Sequence, residues 1–334
     1  MTSKSTNIFE NFPTSTNVGM TPMTVRHKRK IADDIYLFEL VPPAGHSLTP
    51  FNAGSHVVIV TPSGLTRRYS LCNAPSQKDA YVVAIKRDAK GDGGSVSMTD
   101  KLHEGGVVSV SRPENYFAID VATHSALLIA GGIGITPILA MVHELTAKKI
   151  PFKVIYCSRS PEATAFVEEL SVSELAGCVR VHHDHGEAQK SLDLKPLLAD
   201  RAEGEHIYCC GPRPLMSAVR DLSRHWPSST VHFEDFGTSE PLPKQGADKA
   251  FTVKLARRGI TVPVPIGTTI LDALRSCGIA MPSSCESGTC GSCRTGLLSG
   301  EADHRDFVLD EDDYEREIMI CVSRAKTAEL ELDI

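Results

Sequence analysis

The sequence predicts a multidomain fold: an antiparallel barrel or sandwich, then a parallel α/β sheet, then a small β-rich domain around a cysteine cluster. Three observations carry this. Short β-rich runs separated by turn residues fill about residues 22–122. From about residue 123, apolar runs alternate with helix-length stretches, the pattern of a parallel sheet flanked by helices. After a stretch at 241–249 rich in Pro, Gly and charge, five of the ten cysteines fall between 277 and 321. A length of 334 residues suits two or three domains. The expected boundaries are 1–122, 123–240 and 250–334, with 241–249 a linker and the opening residues loose.

In the first segment, Ser55–Val60, Ala80–Ile85 and Gly106–Val110 read as strands. In the second, Ala126–Ala130, Phe152–Tyr156, Val179–His182, His206–Cys210 and Val231–Phe233 read as strands, with helices at Pro137–Ala147 and Ala163–Leu170. The third opens with Phe251–Leu255, turns back through Ile260–Val264, and continues into a helix at Ile270–Cys277.

Charge narrows the function classes. The net charge is −6 and no run of Lys or Arg marks a nucleic-acid face, which excludes tight DNA or RNA binding. Ser125–Val142 runs 18 residues without a charge, long enough for a membrane span. Three glycines and Thr136-Pro137 divide it into a strand, a turn and a helix, so no span is expected. Met1–Glu10 carries no apolar core of a secretory leader. Ten cysteines in a leaderless chain predict a reducing, cytoplasmic setting.

Cys285, Cys290 and Cys293 stand as C-x4-C-x2-C, and Cys321 follows after a 27-residue gap. This is the plant-type [2Fe–2S] spacing, in which four soft thiolates converge on two irons. Small residues between them let the backbone wrap closely and aim amides at the sulfurs. A structural zinc site more often shows C-x2-C pairs, and unrelated buried thiols need no spacing. Cys277 lies outside the pattern and reads as a small buried hydrophobe.

The strand at 126–130 runs into Gly131-Gly132-Ile133-Gly134-Ile135-Thr136-Pro137 and an apolar helix. Such a turn lets a pyrophosphate approach the backbone at a helix N-terminus. Thr136 is expected as N-cap and Pro137 as the first helical residue. The turn departs from G-x-G-x-x-G, having Pro137 at the third glycine. A second strand ends at Cys210-Gly211-Pro212, and the last one runs toward Phe236. Ligands of open α/β sheets bind at that carboxyl edge.

In the first segment, Arg67-Arg68-Tyr69-Ser70 sets an arginine beside an aromatic ring and a hydroxyl, a combination that can hold a phosphate and stack on a flat heterocycle. Asp92-Gly93-Gly94-Ser95 offers a second phosphate cradle if it opens a helix. Singly, the first run is also an ordinary strand end and the second an ordinary loop.

Together and in this order, these motifs resemble the ferredoxin-NADP reductase superfamily in its form fused to a C-terminal plant-type ferredoxin. The resemblance implies a Greek-key FMN barrel, an NAD domain and a β-grasp ferredoxin domain. It assigns Arg67, Arg68, Tyr69, Ser70, Ala84, Lys86, Gly93, Gly94 and Ser95 to the FMN. It assigns Gly131, Gly132, Gly134, Thr136, Pro137, Cys210, Gly211 and Pro212 to the nicotinamide nucleotide, with Thr136 and Phe236 bracketing the isoalloxazine. Cys285, Cys290, Cys293 and Cys321 become the cluster ligands.

The implied activity carries electrons from NADH through FMN and the cluster to a Rieske-type terminal oxygenase, with no acid, base or nucleophile required. Another acceptor (for a demethylase or a diiron hydroxylase) and a non-catalytic redox sensor are the competing readings. NADH is expected over NADPH, although Arg159 in Ser158-Arg159-Ser160 stands where a 2′-phosphate would lie. A monomer is expected. His182, His183, Asp184 and His185 read as a loop near the adenosine rather than a metal site. The nine acids of 301–317 read as a solvated face.

Overall fold

A computed structural model describes residues 19–236, apart from Ala176, and 248–334. Most of the expected linker, at 241–247, lies outside the described residues, as does the N-terminal stretch 1–18.

The first segment contains β1 (Thr21–Ala32), β2 (Ile35–Val41), β3 (Ser55–Val60), β4 (Thr66–Ser70), β5 (Tyr81–Lys86), α1 (Gly94–Lys101), β6 (Val107–Val110) and β7 (Glu114–Asn115). The strands pair antiparallel in the order β4-β3-β6-β1-β2-β5, with β7 added to β3. Just past β4, Leu71 bridges to Val83, so the two outer strands meet. Phe38, Leu40, Val57, Ile59 and Val83 fill the interior with no exposed area. Alternation along β3 and β4 then turns His56, Val58, Arg68 and Ser70 to the opposite face.

The second segment contains β8 (Ser125–Gly131), α2 (Ile135–Lys148), β9 (Phe152–Ser158), α3 (Val167–Leu170), β10 (Val179–His183), α4 (Lys195–Leu198), β11 (Glu205–Cys210), α5 (Arg213–Leu222) and β12 (Val231–Glu234). All five strands are parallel, in the order β10-β9-β8-β11-β12. Strand order reverses between β8 and β11, which creates a crevice at their carboxyl ends. Among the described residues, no helix is long and apolar enough to cross a membrane; the uncharged run divides into β8, a tight turn and α2.

Two local expectations are corrected. Thr136 is not the N-cap: α2 starts at Ile135 after Gly134, so Thr136 and Pro137 lie inside its first turn. The Thr136 hydroxyl donates to the Ile133 carbonyl at 3.0 Å, stapling the preceding turn. The helix expected at Ala163–Leu170 shrinks to a single turn, α3. The Thr164 hydroxyl donates to the Ser160 carbonyl, Ala165 N–H donates to the Tyr156 hydroxyl, and Phe166 turns left-handed at φ 62°. Those contacts draw the chain onto β9 in place of helix.

The third segment contains β13 (Phe251–Leu255), β14 (Ile260–Val264), α6 (Ile270–Ser276), β15 (Arg294–Ser299), β16 (Ala302–Asp303), β17 (Glu317–Met319), β18 (Arg324–Ala325) and β19 (Glu329–Leu332). Its mixed sheet runs β14-β13-β19-β15-β17, beside the β16-β18 pair. Thr269 caps α6 by accepting from Asp272 N–H at 3.0 Å. Cys277 is exposed at the end of α6, not buried as its residue type suggested.

The cores explain how the parts join. Ile35, Ala53, Cys72, Ala84 and Phe117 from the first segment share one buried apolar cluster with β8, α2 and β11. The third segment has a core built entirely from its own residues, including Ile270, Leu274, Ile320 and Leu330.

Candidate functional site

A cavity of about 370 Å³ opens where the three sheets meet. The first sheet lines it with His56, Arg67, Arg68, Ser70 and Tyr116; the end of β12 supplies Phe233, Glu234, Asp235 and Phe236; the cysteine loop supplies Cys285 and Thr289. Phe236 is 44% exposed, so its ring is a free flat face at the rim. Arg68 donates to the Cys285 carbonyl at 2.9 Å and joins the first sheet directly to the cysteine loop. Tyr69, from the same motif, turns toward the core of the first sheet. Its buried hydroxyl has no hydrogen-bond partner among the described residues, and burial pushes its pKa up to about 12. His56 Nε2 is buried beside the cavity in the same condition. An unsatisfied buried polar atom in a cleft, here His56 Nε2, is what a polar, flat ligand would satisfy. The residues therefore fit a flavin.

Glu234 is the unexpected member. Ser70 Oγ donates to its carboxyl at 3.2 Å, and desolvation in the cavity wall, where it is half-buried, pushes its pKa up to about 8. An acid raised by burial costs the fold nothing while it is protonated both folded and unfolded, below its ordinary value of 4.5. Stability then falls as pH climbs from there through about 8, by about 1.4 kcal/mol for each unit of separation. Glu234→Gln removes this term. The Tm of the variant should gain on the parent between pH 5 and 8, and parallel curves over that range would contradict the assignment.

From the cavity wall, Arg67 reaches toward the turn before α1. It pairs with Asp92 and donates to the Thr66 carbonyl at 2.6 Å. A Cβ at Gly94 would lie 2.7 Å from the Arg67 Nε, so only glycine leaves room for the guanidinium. Gly93 sits left-handed at φ 93° and starts the helix, and Ser95 Oγ accepts from Asp88 N–H. A guanidinium over the N-terminus of a helix is a phosphate cradle. We expect Arg67→Ala to weaken FMN by roughly 1.5–3 kcal/mol, about 10- to 150-fold in affinity, while the variant still folds. Undiminished flavin retention on gel filtration would reduce Arg67 to a strand-end residue.

The two glycine turns meet back to back. A Cβ on Gly211 would lie 2.9 Å from the Gly131 Cα, and one on Gly134 would overlap the Cys210 carbonyl. Gly132 takes φ +53° with nothing near it, leaving its surface open. Cys210 is fully buried, and burial holds its pKa well above the ordinary thiol value, so it shapes the crevice as a neutral thiol. Ala84 is buried at the seam between the first two sheets, and Lys86 stands at the end of β5; neither lines the cavity with Ser70. At the far end of the crevice, Ser158 Oγ and His183 Nδ1 lie 3.0 Å apart, and Arg159 is exposed beside them.

In the cysteine loop the thiols form two pairs. Cys285 neighbours Cys290, and Cys293 neighbours Cys321. Two thiolates per iron is the requirement of a binuclear cluster. Among the described residues, no three His, Cys, Asp or Glu side chains gather as a single-ion site. Cys285 N–H points at the Cys290 sulfur and Ser287 N–H at the Cys285 sulfur, each at 3.4 Å. Gly288 is left-handed at φ +82°, and a Cβ there would come within 2.7 Å of Val322. The loop therefore fits a [2Fe–2S] cluster, whose sulfurs take such amide hydrogen bonds.

Sequence reasoning missed His56, Tyr116, Glu234, Asp235 and Thr289, which line the cavity. Only the spacing of Glu234, two residues before Phe236 at a strand end, hinted at any of them.

Comparison with known proteins agrees with this geometry. Residues 253–326 match the 2Fe-2S iron-sulfur cluster binding domain, and residues 128–221 match the oxidoreductase NAD-binding domain. The chain is 47% identical to the phthalate dioxygenase reductase of Burkholderia cepacia, across 95% of this chain and 98% of that one. It is 39% identical to the vanillate O-demethylase oxidoreductase of Pseudomonas sp. strain HR199, across 94% and 100%. A solved structure of phthalate dioxygenase reductase, described as modular for electron transfer from pyridine nucleotides to [2Fe-2S], superposes with a TM-score of 0.68 at 47% identity, covering 95% of this chain and 98% of that one.

Proposed function

Because the chain belongs to the phthalate dioxygenase reductase family, we propose that it is an NADH-oxidising reductase that hands single electrons to a Rieske-type terminal oxygenase. The observation that carries this reading is the cavity: a flavin-motif strand, the carboxyl edge of the nucleotide sheet and the first cluster cysteine form its three walls. Bound FMN would take electrons in pairs from NADH and release them singly to a [2Fe–2S] cluster.

The chain's own task is positioning. Arg67 and the Gly93–Ser95 turn hold the phosphate, Ser70 and Phe236 flank the ring, and Arg68 fixes the cluster loop beside it. The crevice between Gly131–Pro137 and Cys210–Pro212 would receive the nicotinamide nucleotide, whose hydride the flavin would accept. Cys285 with Cys290 serves one iron, and Cys293 with Cys321 the other.

The first sheet is read as the Greek-key flavin barrel, closed by the Leu71–Val83 bridge, and the third as a β-grasp. The domains are taken as 1–122, 123–240 and 250–334, in a cytoplasmic monomer. The likeness to a vanillate O-demethylase oxidoreductase favours one second reading, a demethylase as acceptor. Reconstitution decides between them. With NADH, the protein should sustain product formation by a Rieske aromatic-ring dioxygenase. Faster turnover with a demethylase selects the second reading, and none with either rejects both.

A further inference from the structure

The third segment has its own core, and non-covalent contacts hold its cysteine loop at the flavin cavity. The contact centres on Phe307. Its ring leaves the third segment and packs against the core of the nucleotide sheet. It lies 5.1 Å from the ring of Phe233, which walls the flavin cavity. The Arg220 guanidinium stacks over it at 5.0 Å and that of Arg213 at 5.8 Å.

The same residue grips the cluster loop by its backbone. Phe307 N–H donates to the Gly288 carbonyl at 2.9 Å, midway between Cys285 and Cys290. Its neighbours reinforce the register. Arg220 donates to the Asp306 carbonyl at 2.8 Å. Arg213, the first residue after the Cys210-Gly211-Pro212 turn, pairs with Asp235 at 2.6 Å and donates to the Ser287 carbonyl at 3.2 Å. By contrast, the Arg224–Glu311 pair is 64% and 81% exposed, and such pairs contribute little. A half-buried ring set between two guanidiniums and a second ring contributes apolar burial together with cation–π attraction.

We infer that Phe307 is the positioning residue that registers the cluster loop against the flavin cavity, a role that rests on the function proposed above. Its backbone is fixed to the loop and its side chain to the nucleotide sheet, so loss of the ring loosens the register of a loop that Arg68, Arg213 and the Ser287–Asp235 contact still tether, without altering any ligand. The affected step is transfer of one electron from reduced flavin to oxidised cluster.

The test uses the full chain with its cofactors and compares Phe307→Ala with the conservative Phe307→Leu. In anaerobic rapid mixing with NADH, flavin reduction in both should match the parent. Cluster reduction should slow several-fold in Phe307→Ala and recover most of that loss in Phe307→Leu. Cluster content and spectrum should be unchanged. Independently of any NADH chemistry, hydrogen exchange at the α5 amides should rise in Phe307→Ala as the docked face opens. Unaltered cluster reduction with unaltered exchange overturns the inference. Loss of the cluster in Phe307→Ala overturns it too, because the residue would then build the loop and not place it. A parent whose flavin NADH does not reduce refutes the proposed function instead, and the exchange measurement still decides whether Phe307 docks the domain.

Discussion

Cys293→Ser should abolish electron delivery to the oxygenase while leaving NADH–ferricyanide activity near the parent level. Cys293 is 3% exposed and its free thiol neighbours that of Cys321, so one substitution removes half of one thiol pair. Serine is a harder ligand and suits iron–sulfur binding poorly. The lesion should stay local, because the third segment builds its core from its own residues while the first two share a separate one. Flavin and nucleotide sites should therefore persist, and ferricyanide should still draw electrons from the flavin. Oxygenase turnover should fall to background. A cluster-free variant that sustained near-normal oxygenase turnover would mean that the third segment only docks the partner.

Gly134→Ala should damage the nucleotide site as severely from the other side. The added Cβ would overlap the Cys210 carbonyl, which is backbone at the end of β11 and cannot swing aside. The two strand ends must separate, and overpacking of this kind costs about 1–3 kcal/mol, occasionally more. The site pays twice, because the crevice widens where the nicotinamide must lie. We expect kcat/KM for NADH to fall at least about 100-fold, as a shift of about 1 Å can produce. Chemical reduction of the cluster by dithionite should be unaffected. Normal NADH kinetics in Gly134→Ala would show that β8 and β11 part without consequence and that nucleotide binding lies elsewhere.

The legible part of this protein was what the chain writes locally. The spacing of Cys285, Cys290, Cys293 and Cys321 encodes a cluster because three of its ligands share one loop. The five parallel strands were legible because buried strands read as apolar runs, and the glycine turns because they interrupt those runs. Local reading failed where a neighbour took over. Thr136 has the residue type of an N-cap, yet a tight turn at Gly132–Gly134 starts α2 earlier and leaves Thr136 to staple it. Ala163–Leu170 has helical composition, yet contacts to β9 and Ser160 redirect it. The cavity wall was illegible for a different reason. Ser70 and Glu234 are separated by 164 positions and meet only when two sheets share a core. The same holds for Arg68 and the Cys285 carbonyl, 217 positions apart.

The central claim is that one chain stores electrons on a flavin and on an iron–sulfur cluster and fills both from NADH. An anaerobic reductive titration of the purified protein, followed by absorbance and by electron paramagnetic resonance, tests it most directly. A flavin takes two electrons and a [2Fe–2S] cluster one, so full reduction should consume about three electron equivalents per chain. Boiling should release FMN, and NADH alone should bleach the flavin and produce the signal of a reduced cluster. A colourless protein carrying zinc, or a coloured one in which NADH leaves the cluster signal absent, would contradict the account.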